Sequence, residues 1–159
     1  MDNYELCIMN YELKFMRRAI ELAKEAALED ETPVGAVVVR DGEIIGEGRN
    51  RREKSKSAIA HAEIEAIERA CEQTGGWRLC GSDLYVTLEP CPMCAGAAIN
   101  ARIERVIFGA GDPKAGSCGS VVDLFDLPYN HKPEVISGVL AGECGQLLTD
   151  FFRGLRQRK

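Results

Sequence analysis

The chain has 159 residues, of which 45% are hydrophobic and 28% charged, with a formal net charge of −5; this length and balance suit one globular domain with a real core. No apolar run approaches the roughly 18 residues a membrane span needs. The segment from Met1 to Phe15 carries Asp2, Glu5 and Glu12 against Lys14 alone, the wrong polarity for a secretory signal. A single domain over residues 1–159 in the cytoplasm is therefore expected, with residues 1–11 an N-terminal extension to which no role attaches.

In chain order, Leu13, Met16, Ile20, Ala23 and Ala27 are spaced by three and four and predict an amphipathic helix over Tyr11 to Glu29. Thr32-Pro33 breaks it. Val34 to Arg40 is a β-branched strand, Asp41-Gly42 a hairpin turn, and Glu43 to Gly48 the return strand. Beyond a basic loop, Ala60 to Cys71 reads as a helix, Leu84 to Leu88 as a short buried strand, and the stretch from Pro90 to about Ala101 as a helix. Arg105 to Gly109 predicts another strand, Ala110 to Gly119 a Gly-rich loop, Val135 to Val139 a last strand and Gly142 to Arg156 a last helix. An opening hairpin followed by alternating helices and strands predicts an α/β domain, a three-layer α/β/α sandwich around a mixed sheet.

Of the seven cysteines (Cys7, Cys71, Cys80, Cys91, Cys94, Cys118 and Cys144), only Cys91 and Cys94 form a close pair. The odd count and irregular spacing argue against a disulfide framework. Cys91 and Cys94 sit at a predicted helix start, where residues three apart share a face and the helix dipole favours thiolate. Pro92 suits the first turn. With His61 they give two sulfurs and one imidazole, the three-ligand set of catalytic zinc, whereas structural zinc normally closes with four. Glu63, two residues after His61, is the expected proton shuttle, because zinc lowers the pKa of water from 15.7 to about 7 and a carboxylate can move the released proton. His61-Ala62-Glu63 followed by Pro90-Cys91-Pro92-Met93-Cys94 matches the signature of zinc nucleobase deaminases. A redox Cys-x-x-Cys or a structural zinc site would leave Glu63 idle.

The charge distribution adds a second signal. Residues 49–56 hold five Lys/Arg against one Glu, and residues 151–159 hold Arg153, Arg156, Arg158 and Lys159 with no acid. Two basic patches on an acidic body suit a phosphate-bearing partner, although each alone reads equally as a solvated surface.

From about Arg17 to Arg158 the chain resembles the bacterial tRNA-specific adenosine deaminases, which convert a wobble adenosine to inosine. The resemblance rests on TPVGAVVV (32–39), GEGRN (46–50), AHAEIEAI (60–67), LYVTLEPCPMCAGAAINARI (84–103), RVIFGAGDPKAGSCGS (105–120) and LLTDFFRGLR (147–156). It implies a five-stranded mixed sheet of the cytidine deaminase-like kind, one zinc per subunit, a tRNA anticodon stem-loop as partner and a homodimer. It implies that Asn50 hydrogen-bonds the extruded adenine and that amides of Ala62 and Cys91 help hold water and base. Asp112 would touch the sugar next to the target, unless it only shapes an Asp-Pro turn. Phe151, Phe152 and Arg153 would cradle flanking bases and phosphate. Of the adjacent pair, Phe152 is expected to face inward. Arg51, Arg52, Lys54 and Lys56 match no fixed motif and read as phosphate attraction. The alternative is a small-molecule deaminase acting on guanine, cytosine or cytidine, against which the basic tail and the Asp112 loop speak, since a free base needs no phosphate grip. A silent zinc-binding RNA module would be expected to lack Glu63.

Overall fold

The structure is a computed structural model that describes residues 2–159. The chain runs α1 (Asn3–Leu28), β1 (Gly35–Arg40), β2 (Glu43–Arg49), α2 (Arg52–Ser55), α3 (Ala62–Thr74), β3 (Ser82–Leu88), α4 (Pro92–Asn100), β4 (Arg105–Ala110), a 3-10 turn (Leu124–Asp126), β5 (Glu134–Ser137) and α5 (Ala141–Gln157). The first helix begins at Asn3 rather than Tyr11. No proline or glycine intervenes, so nothing stops the helix from propagating backwards. Of the expected N-terminal extension, Met1 lies outside the described residues.

The five strands form one mixed sheet in the order β2-β1-β3-β4-β5. Strand β1 is antiparallel to β2 and to β3, while β3, β4 and β5 run parallel. Asp41 and Gly42, both at positive φ (51° and 78°), make the hairpin between β1 and β2, the conformation that lets a two-residue turn follow strand twist. Alternation then sorts side chains to the two faces. Val37, Val39, Tyr85 and Ile107 pack with Phe15, Met16, Ala19 and Ile20 of α1 and Cys144 of α5. Ala36, Val38, Leu84, Val86, Val106 and Phe108 pack with Ala62, Ala66 and Ala70 of α3 and Ala95, Ala98 and Ile99 of α4. The sheet thus lies between two helical layers, as the alternating pattern predicts.

Small residues set the height of α3 above the sheet. A Cβ at Gly48 of β2 would strike the Ala62 carbonyl oxygen and the Ala66 backbone nitrogen. Strand and helix therefore meet backbone to backbone at the first turn of α3, which fixes the position of the residues that open that helix. At its far end α3 stops at Gly75, left-handed at φ 74°, whose N–H donates to the Cys71 carbonyl, a common helix terminator. Among the described residues, no helix is long and apolar enough to cross a membrane.

Candidate active site

Two helix starts converge beyond the C-terminal ends of β2 and β3. His61 is the N-cap of α3 and Cys91 the N-cap of α4, with Pro92 in the first turn and Cys94 one turn in. His61 Nδ1 lies 3.6 Å from Cys91 Sγ and 3.5 Å from Cys94 Sγ, and all three donor atoms lie within 4.8 Å of one another. Zn–S bonds near 2.3 Å and Zn–N bonds of 2.0–2.1 Å at tetrahedral angles put N and S about 3.6 Å apart. The donor set and its spacing thus fit a zinc ion. Among the described residues no further His, Cys, Asp or Glu joins this group. His131, the other histidine, is instead 2.6 Å from the Ile103 carbonyl through Nε2. A three-donor group leaves a coordination position for water, the arrangement of catalytic sites.

Of the three donors, Cys91 is the one whose surroundings favour the charged, ligating form. The Cys91 thiol is pulled down to about 4, chiefly by the hydrogen bond from Cys94 and further by His61, against burial. Its pair partner Cys94 is pushed up by the same bond and by burial.

Glu63 is 4% exposed, in the first turn of α3. Burial pushes its carboxyl up to about 7, with its own backbone amide and His61 working in the opposite direction. Together with His61, Ala62, Cys91 and Leu88 it lines a cleft of about 190 Å³, whose remaining walls include Thr32, Val34, Asn50, Arg52, Glu89, Asp112 and Ala115. The structure thus brings Asn50, Ala62, Asp112 and Arg52 to the same cleft as the metal-type donors and Glu63, although they are scattered in sequence.

The cleft walls are held by main-chain hydrogen bonds. Asn50 is 7% exposed; its Nδ2 donates to the Thr32 carbonyl at 3.4 Å and its Oδ1 accepts from the Arg52 amide at 3.2 Å. The basic stretch contains the one-turn helix α2, which has no buried residue of its own. Its order comes from Glu31, 1% exposed, whose carboxylate accepts from the Glu53 and Lys54 amides at 3.2 and 2.7 Å. Asp112 Oδ1 accepts from the Lys114 and Ala115 amides at 2.9 and 3.3 Å. It therefore does shape an Asp-Pro turn, and from that turn it still lines the cleft.

Several expected contacts fall elsewhere. Arg51 is engaged by Glu65 at 2.9 Å and Lys54 lies 3.6 Å from Glu29, so these two cations are partly neutralised within the protein. Arg52 lines the cleft and Lys56 is exposed at a left-handed position closing α2. Phe151, Phe152 and Arg153 lie on α5 and do not line the cleft. The expectation that Phe152 faces inward is corrected: Phe152 is 43% exposed and Phe151 is the half-buried one. Cys144, Leu147, Leu148 and Phe151 fall at three-and-four spacing on the inward stripe of α5, and the next residue points about 100° away. The rings meet edge to face at 5.4 Å, and Arg153 lies 3.6 Å from Asp150.

Two residues without a role in the sequence reading prove central. Glu31 orders α2, and Glu89, 2% exposed, binds the loop after β4. A Glu directly before Pro90-Cys91 was the available signal, but a carboxylate after a buried strand does not announce its partners.

Comparison with known proteins places this geometry. Residues 10–156 match the family of MafB19-like deaminases. A tRNA-specific adenosine deaminase of Bacillus subtilis (strain 168) is 52% identical over 146 residues, covering 91% of each chain. One of Streptococcus pyogenes serotype M18 is 45% identical, covering 91% of this chain and 92% of that one. A solved structure from work on A-to-I editing by tRNA:A34 deaminases superposes with a TM-score of 0.83 at 47% identity, over 85% of this chain and 99% of that one. A guanine deaminase from Nitrosomonas europaea shares the fold, with a TM-score of 0.73 at 23% identity over 87% and 83% of the two chains. The chain belongs to the MafB19-like deaminases, among the tRNA-specific adenosine deaminases.

Proposed function

We infer that the protein is a zinc-dependent hydrolytic deaminase that converts the wobble adenosine of a tRNA anticodon to inosine and releases ammonia. The observation that carries the chemistry is the convergence of His61 Nδ1 with the Cys91 and Cys94 sulfurs in a cleft that Glu63 also lines. The substrate follows from relatives named tRNA-specific adenosine deaminases that match nearly the whole length of both chains.

His61, Cys91 and Cys94 would hold one zinc ion per subunit, which when bound supplies the Lewis acidity that makes a water nucleophilic near neutral pH. Glu63 takes the proton that the water sheds and places it on a ring nitrogen of adenine. Glu63 then takes the remaining proton from the new hydroxyl on that ring carbon and passes it to the amine as the exocyclic C–N bond breaks, so water enters, ammonia leaves and the carboxylate ends as it began. Asn50 orients the extruded base through its side-chain amide, and the Ala62 and Cys91 amides, at the first turns of α3 and α4, hold the reacting groups. Asp112 meets the sugar next to the target.

The RNA grip in this reading falls mainly on Arg52 and Lys56, since Arg51 and Lys54 face internal carboxylates. Phe151, Phe152 and Arg153 on α5 serve flanking bases and phosphate, and the exposed Phe152 ring is available for stacking. An Arg52→Ala variant is expected to bind an anticodon stem-loop more weakly and to lower the slope of log affinity against log salt by about 0.7–0.9, one phosphate contact. An unchanged slope would remove Arg52 from that role. A homodimer and a cytoplasmic location belong to the same reading, the latter because that is where a tRNA substrate resides.

The deciding experiment incubates zinc-loaded protein with an anticodon stem-loop carrying a wobble adenosine and, separately, with guanine, cytosine and cytidine. Inosine in the stem-loop alone is expected. Turnover of a free base or nucleoside alone would make the protein a small-molecule deaminase.

A further inference from the structure

Loop 111–120 follows β4, contains Gly111, Gly116 and Gly119, and supplies Asp112 and Ala115 to the cleft. It has no regular secondary structure, so propensity does not account for its placement. Its hydrogen bonds converge on one side chain. Glu89 Oε2 accepts from the Asp112 amide at 2.9 Å and from the Ser120 hydroxyl, and Glu89 Oε1 accepts from the Cys118 and Ser120 amides at 3.1 and 3.0 Å. Four donors fill the roughly four lone-pair sites of a carboxylate. The backbone joins in: the Glu89 amide donates to the Ala110 carbonyl at 2.8 Å, and the Ser117 amide to the Pro90 carbonyl at 2.9 Å. A Cβ at Gly116 would collide with the Glu89 carboxylate, so the loop wraps that group closely and glycine is what permits it.

We propose that Glu89 is a positioning residue for deamination: its buried carboxylate fixes the Asp112 loop against the cleft and so sets how the sugar beside the target is held. The proposal rests on the tRNA deaminase reading given above. Glu89 acts through its neighbours, since both carboxylate oxygens are engaged by the loop. It stands two residues before the Cys91 donor and one residue past the end of β3, so one short segment ties the metal-type site to the sugar-facing wall. A ligand that shifts the loop is opposed by four hydrogen bonds at once.

Glutamine at this position keeps the shape but replaces one acceptor oxygen with an N–H₂ group that meets donors of the loop. The Glu89→Gln protein is expected to retain its zinc and to lose roughly tenfold to hundredfold in kcat/KM on the stem-loop, the scale of a small misplacement. Because the loss runs through Asp112, a double-mutant cycle with Asp112→Ala is expected to be strongly non-additive, the double variant being little worse than Asp112→Ala alone. A second readout compares ribose with 2′-deoxyribose at the nucleotide beside the target, and Glu89→Gln is expected to narrow the preference for ribose. If Glu89→Gln fails to fold, Ser120→Ala, which removes one of the four bonds, enters the same cycle and is expected to show the same non-additivity at smaller amplitude. Full additivity with Asp112→Ala, or zinc loss as the source of the defect, overturns the proposal. Failure of the parent reading looks different: the unaltered protein would then form no inosine in the stem-loop.

Discussion

Replacing Glu63 with alanine is expected to leave the metal in place and to slow deamination by about 10²- to 10⁴-fold, the range that general acid–base groups contribute. The side chain is almost wholly buried and lines the cleft, yet it stands outside the group of three donor atoms that can share an ion. In the proposed reaction its role is to move protons. A Glu63→Gln variant separates chemistry from shape, because glutamine fills the same space and cannot accept a proton at neutral pH. Both variants are expected to purify with one zinc per chain. Burial opposes the charged form of Glu63, so neither is expected to unfold at lower temperature than the parent, the trade of stability for activity common at such groups. Metal analysis and single-turnover rates on the stem-loop check these outcomes. Loss of zinc in Glu63→Gln would turn the residue into a ligand or a support for one.

Stripping zinc with a chelator is expected to abolish turnover and lower the melting temperature, with the helical signal near native. The donors open α3 and α4, and those helices are seated by Ala62, Ala66, Ala95 and Ala98, all fully buried against the sheet. The scaffold is therefore expected to keep its shape without the ion. A ligand that binds only the folded state nevertheless stabilises it, by about 2.7 kcal/mol when present at a hundred times its Kd. Re-adding zinc is expected to restore both rate and melting temperature. Collapse of the far-ultraviolet circular dichroism on chelation would make the metal structural, and undiminished turnover would remove it from the chemistry.

Much of this was legible in the sequence where a residue's neighbours along the chain decide its fate. The β-branched run Val37 to Val39, the Asp41-Gly42 turn and the Pro92 helix start each carry their conformation locally, and the strands and helices they predict are present within a few residues. The metal-type group was legible because ligand chemistry restricts which residues suffice: one His and a Cys pair three apart leave few alternatives. Helix α2 was read as loop because all four of its residues are polar and its order comes from Glu31, distant in sequence. Arg51 read as a free cation for the same reason, since Glu65 reaches it only once α3 lies on β2. Phe152 was misplaced because two adjacent aromatics leave the phase of a helix ambiguous until its inward stripe is known. Glu89 escaped notice because three of its four partners are backbone amides, which every residue but proline has.

The sheet order also dictates when the three metal-type donors can come together. His61 follows β2 by way of α2, the two cysteines follow β3, and β1 lies between those strands, with Val38 paired to Gly46 on one side and Leu84 on the other. The imidazole and the sulfurs therefore meet only after β3 has zipped onto the finished hairpin, a non-local event and so a slow one. A nascent chain ending before Ser82 offers the ion His61 without either of its two sulfur partners. Zinc uptake during synthesis or refolding would accordingly time the insertion of the third strand, a step that metal-sensitive dyes are expected to follow.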